Sequence, residues 1–184
     1  RAVSLGRSRS LTDRLSEFAA PAIEALHGQV NETIVLALYA NGLRHTIECR
    51  ESDHALRVGA AKGADSHLYG TATGRVLLSL LSATELKRFV SHAGFPGEDW
   101  PGIDSQSSLE AVLSGIRERG CAEYRRPGSH VQALAVPVNL SEGLPRVAIG
   151  LYFPTVRDSV ERRCELSGAL RRAASSIGAE LERI

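Results

Sequence analysis

The stretch from Gly63 to Ser82 gathers the residue types best suited to holding a small ligand. It contains Gly63, Gly70 and Gly74, two threonines at Thr71 and Thr73, and then the apolar run Val76-Leu77-Leu78 with Leu80 and Leu81. Small side chains entering a helix leave its first backbone N–H groups bare, and a threonine hydroxyl there is placed to cap them. Such a helix mouth receives a small polar or anionic group. The same residues also suit a plain turn capped by Thr71 or Thr73, with the glycines as turn formers. Taken alone, the pattern defines a candidate.

Other chemistry is thin. His45 and Cys49 fall on the same face of a strand-like run, but four residues of strand separate them by about 13 Å, too far for a hydrogen-bonded pair or for two ligands of one metal. His45 therefore reads as a half-buried, satisfied histidine. Cys121 follows a helix-ending glycine and has only Arg125 and Arg126 nearby to lower its pKa, so a structural cysteine is the simpler reading. There is no G-x-S-x-G elbow, no H-E-x-x-H and no strand-linked G-x-G-x-x-G, and Gly70-Thr71-Ala72-Thr73-Gly74-Arg75 lacks the spacing and the lysine of a phosphate loop. No catalytic residue, metal or cofactor is expected. Trp100, alone of its kind, either covers a ligand or pins its loop to the body.

The totals are those of an ordinary soluble domain. A chain of 184 residues, 43% hydrophobic and 23% charged, is large enough for one domain with a real core. Lysine and arginine number 22 against 21 acidic residues, so no overall field argues for a nucleic-acid or membrane surface. Cys49, Cys121 and Cys164 show no C-x-x-C spacing, which fits a reducing cytoplasm. No apolar run reaches the roughly 20 residues of a membrane span. The sequence starts at Arg1 and holds no methionine, from which an excerpt or a processed chain is expected.

The elements that must position these residues follow from periodicity. Residues 1–10 read as a linker, and 11–184 as the domain. Apolar positions from Leu11 to Leu26 recur at helical spacing, with Pro21 starting or kinking a helix that Gly28 stops. Thr33–Tyr39 and Leu43–Arg50 flank Asn41-Gly42, a hairpin signal, and in the second run Leu43, His45, Ile47 and Cys49 alternate with wet Arg44, Thr46, Glu48 and Arg50. Arg57-Val58-Gly59 reads as a short strand leading to the glycine-rich loop. Ser82-Ala83-Thr84-Glu85 and Ser107-Ser108-Leu109-Glu110 are capping-box patterns opening two helices, the second closed by Gly120. Residues 91–107 read as a long loop. Ala133–Val138, with Pro137 near an edge or bulge, joins Arg146–Phe153 through a turn at Leu140-Ser141-Glu142-Gly143, and a helix from Ser159 to Ile184 ends the chain. Hairpins dominate, so the class is α+β with a mostly antiparallel sheet.

Laid out in this way, the chain from about Ala20 onward resembles the C-terminal effector-binding domain of IclR-family bacterial transcription regulators. The resemblance rests on Leu56-Arg57-Val58-Gly59, on Leu68-Tyr69-Gly70-Thr71-Ala72-Thr73-Gly74-Arg75-Val76-Leu77-Leu78-Ser79, on Ile116-Arg117-Glu118-Arg119-Gly120-Cys121-Ala122 and on Ala133-Leu134-Ala135-Val136-Pro137-Val138, in order. Val3-Ser4-Leu5-Gly6 is similar to the segment that follows the family's DNA-binding unit. The resemblance implies a GAF-like domain, a twisted sheet flanked by helices around a small-molecule pocket. It implies ligand-binding positions at Ala72, Thr73, Gly74, Glu123, Val131, Ala133, Gly150 and Tyr152. Its implied partners are a metabolite effector, with organic acids and aromatic compounds both open, a second copy in a dimer or tetramer, and operator DNA through an N-terminal winged helix-turn-helix absent here. The sequence departs from the family pattern at Tyr69, Arg75 and His130, where histidine, lysine and glycine are usual, and a tyrosine at 152 either donates its hydroxyl to a ligand or fills the pocket. A thiol-based redox sensor or small enzyme on the same scaffold, using Cys49 or Cys121, is the alternative.

Overall fold

A computed structural model of the chain describes residues 2–125, 128–141 and 143–182. The strands are β1 (Thr33–Ala40), β2 (Leu43–Arg50), β3 (Gly63–Asp65), β4 (Ala122–Arg125), β5 (Val131–Val138) and β6 (Val147–Pro154). The α-helices among the described residues are α1 (Ala2–Val30), α2 (Ala72–Ser79), α3 (Ala83–Ala93), α4 (Gln106–Arg119) and α5 (Val160–Leu181). The strands form one sheet in the order β3-β2-β1-β6-β5-β4, each neighbouring pair antiparallel. This is the α+β class that the hairpins predict.

Strand alternation sorts the side chains to two unlike faces. Ile34, Leu36, Leu134, Val136, Ile149, Leu151 and Phe153 form one core with Leu15, Ile23 and Leu26 of α1 and Leu166, Leu170 and Ile177 of α5. Each such side chain contributes roughly 1.5–3 kcal/mol by leaving water. The other face carries Ala37, Ala133, Ala135, Ala148 and Gly150, and against it pack Val76 and Leu77 of α2 with Leu109 and Leu113 of α4. Small residues there let α2 approach the sheet closely. A β-carbon on Gly150 would lie 2.8 Å from both the Leu134 carbonyl oxygen and Thr73 Cγ2, so no side chain fits.

Several elements differ from expectation. Residues 2–10 belong to α1, which passes through Pro21 and Gly28 as one helix; Arg1 lies outside the described residues. The segment 2–10 holds no proline, and a glycine weakens a helix by about 1 kcal/mol without forbidding it. The stop comes at Asn31, in the left-handed region at φ 47°, with its N–H donating to the His27 carbonyl at 2.8 Å. The second capping box forms on Ser105 with Ser108, two residues earlier than the pattern at Ser107, whereas that on Ser82 with Glu85 forms as expected.

Arg57–Gly59 forms no strand; the edge strand is Gly63–Asp65 instead. Side chains satisfy the irregular segment in place of a ladder. The Thr33 hydroxyl donates to the Val58 carbonyl at 2.6 Å and Arg157 Nη1 to the Leu56 carbonyl at 3.0 Å. Arg157 is itself held by the fully buried Glu32, through Nε to Oε1 at 2.8 Å and Nη2 to Oε2 at 2.7 Å.

The alternation in β2 also fails halfway. The register with β1 shifts between Leu36↔Glu48 and Ala37↔Thr46, leaving Ile47 as an extra residue in a bulge. Ile47 and Glu48 therefore both turn toward α1, where Ile47 joins the core and Glu48 accepts from the Ser16 hydroxyl. Arg44, Thr46 and Cys49 share the opposite face, and Arg44 and Thr46 are not wet. Pro137 lies beyond the end of β4, whose pairing stops at Ala122↔Ala135, so the outer side of β5 is an edge there. Glu142 of the β5–β6 turn and residues 183 and 184 lie outside the described residues.

Candidate functional site

Between β3 and α2, and below the irregular segment 58–61, the small-residue face of the sheet is left uncovered, and a cavity of about 300 Å³ opens there. Its floor is Val35 of β1, Arg44 and Thr46 of β2, Ala133 of β5 and Tyr152 of β6. Val58, Gly59, Ala60 and Ala61 form one wall, and Gly70, Tyr124, Ser129 and Val131 complete it. The lining is mainly apolar with a polar end, the usual make-up of a small-ligand pocket, and its size is at the lower end of the range for one.

Arg44 defines the polar end. Its Nε donates to Asp65 Oδ1 at 3.2 Å and its Nη2 to Asp65 Oδ2 at 2.5 Å. Its Nη1 donates to Thr73 Oγ1 at 3.1 Å and makes a long contact of 3.5 Å to the Tyr152 hydroxyl. Burial pushes the Asp65 carboxyl up, but the Arg44 guanidinium outweighs it and, with the His67 N–H, holds it below the usual carboxylate range. For Arg44, burial works against the charge while Asp65 and Tyr152 favour it, and the pKa is raised. Both partners are thus charged in the folded protein, in the geometry of a forked guanidinium–carboxylate pair.

Of the residues expected at the site, Val131, Ala133 and Tyr152 line the cavity. Thr73 is fully buried behind the lining and touches the site through Arg44. Ala72 and Gly74 are buried in α2; a β-carbon on Gly74 would fall 2.2 Å from the Leu68 carbonyl oxygen. Gly150 lies beneath Thr73, also outside the lining. The mouth of α2 is capped from within, because Thr71 Oγ1 accepts from the Gly74 N–H at 3.1 Å. Glu123 is exposed and faces elsewhere, 3.6 Å from Arg163 Nε. Arg44, Thr46 and Val58–Ala61 were missed; only the β2 bulge, which reverses the strand's faces, brings Arg44 inward.

Trp100 pins its loop and does not cover the cavity. The buried Arg75 guanidinium sits 3.8 Å from the Trp100 ring centroid and 4.6 Å from that of Tyr124, and donates to the carbonyls of Tyr69 and Asp99 at 2.8 and 2.9 Å. Desolvation pushes its pKa down to about 10. This cation–π stack supports Tyr124, whose ring forms part of the cavity wall. The Cys49 thiol is pushed up by burial and by Glu51 and Glu48, the opposite of what a reactive thiolate needs. Arg126, a possible neighbour of Cys121, lies outside the described residues. Among the described residues no group of three histidine, cysteine or carboxylate side chains is placed to hold a metal ion.

The molecule is thus a six-stranded antiparallel sheet with a two-helix layer behind it and a small-molecule-sized cavity in front. The chain matches the family described as bacterial transcriptional regulator IclR, C-terminal, over residues 12–179, and it belongs to that family. It is 31% identical over 132 residues to the HTH-type transcriptional regulator KdgR of Escherichia coli K12, covering 71% of this chain and 50% of that protein. The chain spans about half the length of the curated relatives it matches. The solved C-terminal domain of E. coli KdgR is 28% identical and superposes with a TM-score of 0.75, covering 91% of this chain and 98% of that one. An IclR homologue from Microbacterium hydrocarbonoxydans, solved in complex with 4-hydroxybenzoate, shares the fold at 23% identity and a TM-score of 0.75, covering 95% of this chain and 70% of that one.

Proposed function

We propose that this chain is the small-molecule-sensing and self-associating part of an IclR-type transcription regulator, in which filling the cavity beside Arg44 alters operator binding by a winged helix-turn-helix unit outside the sequence. The observation that carries the reading is the cavity itself: apolar walls and one polar end, closed by a segment held by side chains and not by a strand ladder. The 4-hydroxybenzoate held by the Microbacterium homologue supports ligand recognition on this fold. Val131, Ala133 and Tyr152 line the cavity, while Ala72, Thr73, Gly74 and Gly150 lie behind the lining and set its depth. Glu123 stays outside.

A ligand acts on such a protein only through a difference in affinity between two arrangements of the chains. Self-association is part of the reading, and the exposed Leu56, Val156 and Val160 supply apolar surface at one end of the molecule. The protein performs no chemistry, needs no cofactor and works in the cytoplasm, where the DNA is. No helix among the described residues is long and apolar enough to cross a membrane.

The test uses Ala61, exposed at the rim. Ala61→Trp should plug the opening without disturbing the core, so its melting temperature stays near wild type. Metabolites that raise the wild-type melting temperature in a screen should then lose that effect. A metabolite that stabilises A61W as well as wild type binds elsewhere and overturns the assignment of the cavity.

A further inference from the structure

Arg44 is the one charged side chain among the described residues lining the cavity, and the protein itself balances it. Every nitrogen of its guanidinium has a protein partner, two on Asp65 and the third shared between Thr73 and Tyr152. Asp65 is fixed in turn, since its Oδ1 also accepts the His67 N–H at 2.9 Å. The cavity therefore presents a neutralised pair to whatever enters. We propose that it selects an uncharged, largely apolar ligand carrying a hydrogen-bond acceptor, and that the Arg44–Asp65 pair excludes carboxylates. This rests on the cavity being the ligand site.

The exclusion is electrostatic. A ligand carboxylate can approach the guanidinium at Nη1, where Tyr152 makes only a long contact, but it then lies near Asp65, whose side chain is 27% exposed and already paired with the same guanidinium. Two like charges at that range in a partly buried site oppose each other strongly. A neutral carbonyl or hydroxyl meets no such opposition. It finds the Tyr152 hydroxyl, which is approached by Arg44 and donates to no acceptor among the described residues. The apolar lining residues Val35, Val58, Val131 and Ala133 favour an apolar body.

Calorimetric titration of the 184-residue chain with three amide and acid pairs of matched shape decides the matter: isobutyramide and isobutyrate, benzamide and benzoate, cinnamamide and cinnamate. At least one amide is expected to bind about tenfold more tightly than its acid. Asp65→Asn leaves the guanidinium uncompensated and should raise the affinity of that acid about tenfold, reversing the order. Should D65N fail to fold, the wild-type ratio alone decides. If in every pair that binds the acid is held as tightly as its amide, the inference is overturned and the cavity stays a ligand site. If no member of any pair binds, the inference and the site assignment fall together.

Discussion

Glu32 carries a fully buried carboxylate in the connection between α1 and β1, and its two oxygens are matched by Arg157, with Arg162 3.7 Å from one of them. A buried carboxylate needs such partners, and removing its charge leaves guanidinium groups that were oriented for it. Glu32→Gln should therefore lower the unfolding free energy by about 2 kcal/mol, measured in urea. It should also loosen Leu56, because the same Arg157 holds that carbonyl; amide exchange in residues 54–58 should rise more than in β1. Equal exchange in both regions would separate Glu32 from the segment that walls the cavity.

At the scale of elements, most of the order was legible because helices cover most of both faces of the sheet and the apolar periods are strong. Thr33–Tyr39 and Ala133–Val138 fall within strands, and the helix expected after Thr73 begins slightly earlier, at Ala72, with Thr71 as its cap. What was not legible depends on partners distant in sequence. The bulge at Ile47 arises from pairing with β1, and no alternation within β2 reveals it. Helix α1 extends through residues 2–10 and Gly28, where local composition suggested a linker and a stop. Between Ser105, with Ser108 three residues on, and Ser107, with Glu110, the backbone decides which serine caps. Ser105 does so, at φ −141° and ψ 159°, and its hydroxyl accepts from the Ser108 N–H. Ser105→Ala should cost about 1 kcal/mol, while Ser107→Ala, within the first turn, should change stability by less than about 0.5 kcal/mol. Equal effects in urea unfolding would return the cap to Ser107.

For the whole molecule, the sheet divides labour between its faces. The α1 and α5 side is filled with large aliphatic side chains, and the α2 side is built from alanine and glycine. Family membership extends over residues 12–179, so this division spans nearly the whole chain. The proposed association between chains belongs to this scale. Val156 is 76% exposed and adjoins Arg157, which reaches Leu56. Val156→Lys should reduce the sedimentation coefficient at micromolar concentration without lowering the melting temperature; an unchanged coefficient would remove this surface from the proposed association.

The close seating of α2 on Gly150 also bears on how the proposed ligand site could change its diet. Backbone touches side chain there with no slack, so the bottom of the chamber cannot deepen without a clash. The run from Val58 to Ala61 has no ladder partner and no bulky side chain, and can lengthen, shorten or bow outward at little cost to the rest. Divergence toward bulkier or slimmer guests should thus be recorded as insertions and deletions in that strip, with the scaffold beneath it kept unaltered.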